Sequence, residues 1–293
     1  MKKYKKIMLI TSAAVLAAGI GFVAAGAALV NFDFKALDRT SYTSKTYECS
    51  KEISSVDIHN VTDSMTFKKS KDKNIRIEYT DSDSLSYDIG LEYEDPEKET
   101  GKLTLKINQK KSGPWYDSLL GFKFHHDHTF TIYLPEDKYD SIYAESVSGN
   151  ISNSVRFSTD KDCSFKTVSG DINVKDIVSK TTYCNTTSGD IRLDNCSSGT
   201  VGIHSVSGDA ELKYVWAEKK LTIETVSGDV DIDKPISGSI RAKTVSGDVK
   251  GTVEQPMNYQ THTVSGDVSV PRSKGENYFD IETVSGDIEI KDE

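Results

Sequence analysis

An excess of basic charge is what this sequence most plainly lacks: 45 acidic side chains outnumber 36 basic ones, for a net charge of −9. Such a surface is repelled by nucleic acid, which drops out as a partner, and by bare anionic membranes or wall polymers, which it could touch only through bridging cations or a local patch. Cysteine is scarce. None of the four, Cys49, Cys163, Cys184 and Cys196, directly follows the apolar segment near the start of the chain, which argues against acylation at a membrane edge. Long uncharged stretches are missing too, with one exception: behind the lysines of MKKYKK, Ile7 to Val30 holds 24 residues without a charge. As a helix rising about 1.5 Å per residue, this run is roughly 36 Å long and could span a bilayer. By the positive-inside rule, residues 1–6 are then a cytoplasmic basic flank, residues 7–30 a transmembrane helix, and everything after Asn31 is extracytoplasmic. Ala25-Gly26-Ala27 resembles a cleavage site and keeps a removed signal peptide open as the alternative, although the run exceeds the roughly 7–15 residues of a signal core. Setting aside the four flank lysines lowers the basic count from 36 to 32 and the net charge from −9 to −13.

One short phrase is abundant. Close variants of TVSGD recur eight times, with glycines at Gly149, Gly170, Gly189, Gly208, Gly228, Gly247, Gly266 and Gly286, at intervals of 19 to 21 residues. A fixed period of this size is the signature of a stacked repeat. Aligned on their glycines, the copies show apolar columns seven residues before (Ile142, Cys163, Thr182, Val201, Leu221, Ile240, Tyr259, Phe279) and two residues after (Ile151, Ile172, Ile191, Ala210, Val230, Val249, Val268, Ile288). The column five residues before is similar, running from Ala144 and Phe165 to Ile281, and polar residues stand between. Alternation with period two means strand. Each repeat therefore reads as strand, corner, strand, with an opposite corner at the second Ser-Gly pairs, Gly199 and Gly238. The fold class is all-β, a single-chain β-solenoid or β-helix of 19–20-residue rungs preceded by one N-terminal transmembrane helix. Residues 141–293 are its regular part and 47–140 an irregular β part, as in Ile75-Arg76-Ile77-Glu78-Tyr79; residues 31–46 form a tether.

In this reading the corner glycines adopt positive φ, and the Ser hydroxyl and Asp carboxylate cap backbone groups freed by the turn. The next position becomes a ladder of carboxylates, Asp171, Asp190, Asp209, Asp229, Asp248, Asp267 and Asp287, continued by Asn150. Turn N–H groups or a row of bound cations could offset their repulsion, although the doubled glycines of a calcium-binding roll are absent. Two residues before each glycine runs a column of Val147, Val168, Thr187, Val206, Val226, Val245, Val264 and Val284. Either a bulge turns it inward or it stays an exposed apolar stripe that would mark a contact surface.

Cys163 and Cys184 each lie fourteen residues after a motif glycine, so the reading stacks them on neighbouring rungs, as a disulfide or as two buried thiols. His126 and His128, in His125-His126-Asp127-His128, are the candidate metal ligands, set against a solvated loop because no further ligand completes the site. Neither a metal nor a cofactor is expected.

Ile132-Tyr133-Leu134-Pro135, then Tyr139-Asp140-Ser141-Ile142, then SVSGNI, TVSGDI and TTSGDI form a combination that closely resembles the bacterial "putative adhesin" family of LiaG-like proteins, over about residues 50–291. The resemblance implies a surface or membrane-associated β-solenoid, found in some members beside regulators of the envelope-stress response. It carries over no catalytic residue. The favoured function is a non-enzymatic surface protein, held in the cell membrane by a single helix, that presents the solenoid for adhesion or envelope binding. The alternative is an accessory or sensor component of a cell-envelope stress response, which alone predicts induction by wall-active stress. A carbohydrate-active β-helix enzyme comes third, since coils this short leave no long loops to wall a cleft. No catalytic or wall-anchoring domain is expected after the last coil, which Lys291-Asp292-Glu293 follow directly.

Overall fold

Alternating side chains become, in the computed structural model, a stack of parallel strands. The structure describes residues 42–82, 85–97, 100–111, 129–272 and 274–292, and every regular element among them is a β-strand. The basic flank, the apolar run 7–30, His126 and His128 lie outside the described residues. Among those described, no helix is long and apolar enough to cross a membrane. Residues Thr43–Asp81, Leu85–Lys111 and those described from 129 onward belong to one compact unit. Tyr42–Cys49 is a strand, so the last residues of the expected tether are structured.

Register shows how the repeat stacks. Ile151 pairs with Ile172, Ile172 with Ile191, Ile191 with Ala210, Ala210 with Val230, and Val230 with Val249. The columns before the glycine stack likewise, from Ile142 opposite Cys163 through Val201 opposite Leu221. These columns fill the interior, where all but the members in the Gly266 rung are buried. Each fully buried Ile, Leu or Val contributes about 1.5–3 kcal/mol relative to exposure, so the columns supply the main cohesion between rungs.

Two features depart from the sequence reading. A rung turns three corners rather than two. Pairing between Ile172–Asn185 and Ile191–His204 is interrupted at Asp176 and again at Lys180, leaving three short faces per rung. The first interruption is a left-handed residue in four successive rungs: Asp176 (φ 54°), Asn195 (51°), Tyr214 (51°) and Lys234 (52°). Asp and Asn tolerate that conformation, whereas Tyr and Lys hold it at a cost of about 1 kcal/mol each. None of the four is glycine, so this corner carries no repeating sequence mark.

Rung order also departs from chain order at both ends. Val249 pairs not with Val268 but with Ile288, and Ile288 in turn pairs with Val268. On the other face, Phe279 lies between Ile240 and Tyr259. The chain leaves Val249–Val253, skips one rung to lay down Met257–His262 and Val268–Ser269, then returns to fill the gap with Asn277–Glu282 and Ile288–Asp292. The two connections approach closely at Gly275, where an added Cβ would stand 1.9 Å from the Pro256 carbonyl oxygen, so only glycine fits. At the start of the chain, Ser55–His59 and Ser64–Lys69 are likewise sandwiched, between the rung of Ser141–Asn153 and an outer rung made by Thr100–Lys111 and Thr129–Leu134.

Candidate functional site

The TVSGD corners stack into one ridge, and the Gly228 corner shows how each is built. Thr225 is buried, its Oγ1 accepting the Gly228 N–H (3.1 Å) and donating to the Gly208 carbonyl one rung away (3.4 Å). Thr167, Thr186 and Thr244 repeat both bonds. The hydroxyl that caps the glycine N–H is therefore that of the residue three before it, while the Ser beside the glycine is exposed in every copy and donates to a carbonyl of the adjacent corner at Ser148 and Ser169. The glycines do not serve positive φ either: none of the eight has φ between +20° and +160°. Each is required because an added Cβ would stand 1.7–2.2 Å from the carbonyl oxygen of the corner beneath. Corners this close leave no room for any side chain at that position.

The aspartates join neighbouring corners. Asp229 N–H donates to Asp209 Oδ1 (2.8 Å), and Asp248 N–H donates to Asp229 Oδ1 (2.8 Å). The same bond links Asn150 to Asp171, Asp171 to Asp190, Asp190 to Asp209, Asp248 to Asp287 and Asp287 to Asp267. Carboxylates one strand spacing apart, about 4.8 Å, repel by roughly 0.9 kcal/mol in water. A hydrogen bond to a charged acceptor is worth about 1.5–3 kcal/mol, so the ladder is net cohesive. Lys250 and the backbone N–H of Asp287 hold the Asp248 carboxyl below its ordinary value. A carboxyl depressed in the folded state stabilises above its unfolded value and loses that contribution as pH falls through the folded one. Melting temperature should accordingly hold from neutral pH to about 5 and fall below about 4. Asp229→Asn should cost little, because an amide oxygen still accepts the Asp248 N–H, whereas Asp229→Ala should cost about 1–2 kcal/mol in denaturant melts.

Valine forms the outer surface of the ridge. Val147, Val168, Val206, Val226, Val245, Val284 and Val264 are 41–71 % exposed, with Thr187 exposed in the same column. Thr225 turns inward and Val226 and Ser227 both turn outward, so no bulge carries the valines into the core. Eight such positions at strand spacing make a stripe about 34 Å long. Its flank carries a polar cluster with no sequence signal beyond a glycine in a strand. The Tyr183 ring lies over Gly202, where a Cβ would be 2.7 Å from it, and stacks on His204 at 5.4 Å. Its hydroxyl is 3.0 Å from His204 Nε2, and His204 Nδ1 is 3.3 Å from Glu224.

A family model described as Toastrack DUF4097 matches residues 53–291. The chain belongs to that family. A solved "putative adhesin" from Bacteroides fragilis is 15 % identical to this Toastrack chain, covers 86 % of it over 97 % of its own length, and superposes with a TM-score of 0.52. Another from Parabacteroides distasonis is 14 % identical, with 85 % and 97 % covered and a TM-score of 0.51. No curated protein matches the sequence. These likenesses bear out the resemblance read from Leu134-Pro135 and the SGD coils; at such identities the structural ones concern the fold alone.

The remaining expected sites fall elsewhere. Cys163 pairs with Thr182, and Cys184 with Phe165, so the two cysteines stand in different columns. Successive glycine intervals of 21 and 19 residues put both fourteen after a glycine while shifting their register by two. All four cysteines are free and buried, and burial pushes the Cys163 thiol up to about 12. A recess of about 250 Å³ lies away from the ridge, lined by Lys51, Glu52, Lys73, Asp137 and Tyr139 among others.

Proposed function

We propose that this Toastrack chain is a non-enzymatic surface protein, anchored in the cell membrane by the apolar run Ile7–Val30, whose stacked corners form the contact ridge for adhesion or envelope binding. The exposed valine stripe, interrupted by Thr187, carries this reading. Exposed apolar side chains scattered singly are ordinary, but a column repeated on successive rungs is a continuous strip of desolvatable surface. Polar ladders border it: the exposed serines on one side, and on the other Glu145, Lys166, Asn185, His204, Glu224, Lys243, Glu282 and His262. A repeated, rigid surface of this kind suits an extended ligand better than a small molecule. The lysine flank and apolar run support the membrane anchor, and the "putative adhesin" neighbours support the surface role.

Two measurements on cells expressing the chain test this. External protease should degrade the chain on intact cells; protection that persists until lysis would reject the topology. Val206→Ser, Val226→Ser and Val245→Ser combined should leave surface level and melting temperature nearly unchanged while abolishing most retention of the cells on envelope fragments. Retention equal to wild type would remove the ridge from the proposal.

A further inference from the structure

The two ends of the stack are finished differently. At one end, the outermost parallel strands are each covered by an antiparallel one: Ile77 lies opposite Ile132 and Arg76 opposite Tyr133, while Leu85–Asp95 runs along Thr100–Lys111. The corner there is closed too, as Gln109 Oε1 accepts the N–H groups of Val61 (2.5 Å) and Thr62 (2.9 Å). At the other end lies the Gly266 rung. Among the described residues, Met257–His262 and Val268–Ser269 pair on one side only, with Asn277–Glu282 and Ile288–Asp292. The Gly266 carbonyl and Asp267 Oδ1, whose counterparts in inner rungs accept bonds from the next corner, meet no donor among the described residues. Val268, a member of the interior column, is 46 % exposed, and Tyr259 and Val270 are only partly buried. A bare edge of this kind is a template for another strand.

Two observations indicate what covers it. The chain finishes the opposite end with antiparallel strands, and antiparallel is the relation a strand has to its own copy across a two-fold axis. Charge supplies the second. Met257–His262 contains no Lys, Arg, Asp or Glu, like the inner stretches 181–185 and 200–204 but unlike Asp162–Lys166, Ser239–Lys243 and Asn277–Glu282, which each contain two. A two-fold axis sets like charges against each other, so an edge built to meet its copy has to be free of them. Protective edges normally carry such charges, lysine above all. Pro256 and Pro271 bracket the outer rung and confine the pairable edge to the residues between them.

We infer that this edge joins two copies of the chain, Met257–His262 pairing antiparallel with itself about Gln260. Tyr259 then meets the copy's Thr261, a large side chain against a small one, and Asn258 meets the copy's His262. Tyr259, Val268 and Val270 of both copies become interior. The inference stands apart from the proposed ridge, which lies along the corners rather than across the end.

Sedimentation of the whole chain in detergent micelles tests it. Wild type should sediment as two chains, and Gln260→Lys and Gln260→Glu each as one, with dimerisation weakened by about a hundredfold. An equimolar mixture of the two variants should return to two chains, because opposite charges then face each other. Gln260 is exposed, so both variants should melt with the wild-type protein at dilution; if either does not fold, Asn258→Lys takes its place. A wild-type chain that sediments singly at every concentration overturns the inference. So does a two-chain mass unaffected by either charge, or a mixture that stays single.

Discussion

Gly228→Ala is expected to destabilise the chain by more than about 3 kcal/mol, enough to consume much of a typical margin of about 5–15 kcal/mol. The methyl group would stand 2.0 Å from the Gly208 carbonyl oxygen and 2.9 Å from Thr225 Oγ1. Neither neighbour can yield easily: the carbonyl belongs to backbone held by the corner below, and the hydroxyl bridges two rungs. Relief requires prying the corners apart, which stretches the Asp229 to Asp209 bond beside them. Two neighbours calibrate the result. Thr225→Val keeps the shape but leaves a buried N–H and carbonyl without their hydroxyl, at about 1–3 kcal/mol. Ser227→Ala touches an exposed side chain and should stay within about 0.5 kcal/mol. Urea melts should rank the three variants in that order. Equal losses for Gly228→Ala and Ser227→Ala would mean that the corners do not approach as closely as the structure has them.

The need for glycine at these corners was legible in the sequence, but its cause was not. A repeated glycine looks the same whether it supplies φ or proximity. Only the register, which sets Gly208 beneath Gly228, separates the two. The interior columns were legible because burial on a strand imposes period two, and Ile151, Ile172 and Ile191 state it without interruption. Valine at the ridge was ambiguous for the converse reason. Alternation fails at a corner, where Thr225 turns inward and two successive residues turn outward. Tyr214 and Lys234 concealed the third corner because neither residue type advertises a left-handed backbone, and tertiary stacking imposes it. The antiparallel closure by Ile75–Ser82 and Leu85–Asp95 left strand alternation intact and so read as more of the same coil. Rung order was hidden most completely. TVSGD occurs unchanged at Gly228, Gly247 and Gly286, and the Gly266 copy differs in none of its five letters, so nothing local says which corner lies outermost.

That order yields the second large effect, Phe279→Ala, expected to cost about 3–5 kcal/mol. Phe279 is fully buried, with Ile240 on one side and Tyr259 on the other, its ring 6.0 Å from the Tyr259 ring. Removing it opens a cavity between two rungs, which cannot collapse without shifting the strands hydrogen-bonded on both sides. Val268→Ala should cost about 1 kcal/mol or less, since this side chain has a neighbouring rung on one face only and is already 46 % exposed. A stack that followed chain order predicts the opposite ranking. Phe279 would then stand in the terminal rung and Val268 would be sandwiched inside. Denaturant melts of both variants, at concentrations low enough to keep the chain monomeric, distinguish the two arrangements. A larger loss for Val268→Ala than for Phe279→Ala would show that Asn277–Glu282 does not return to fill the gap beside Ser239–Lys243. The open edge would then belong to Asn277–Glu282, whose Asp280 and Glu282 would face like charges across any two-fold axis.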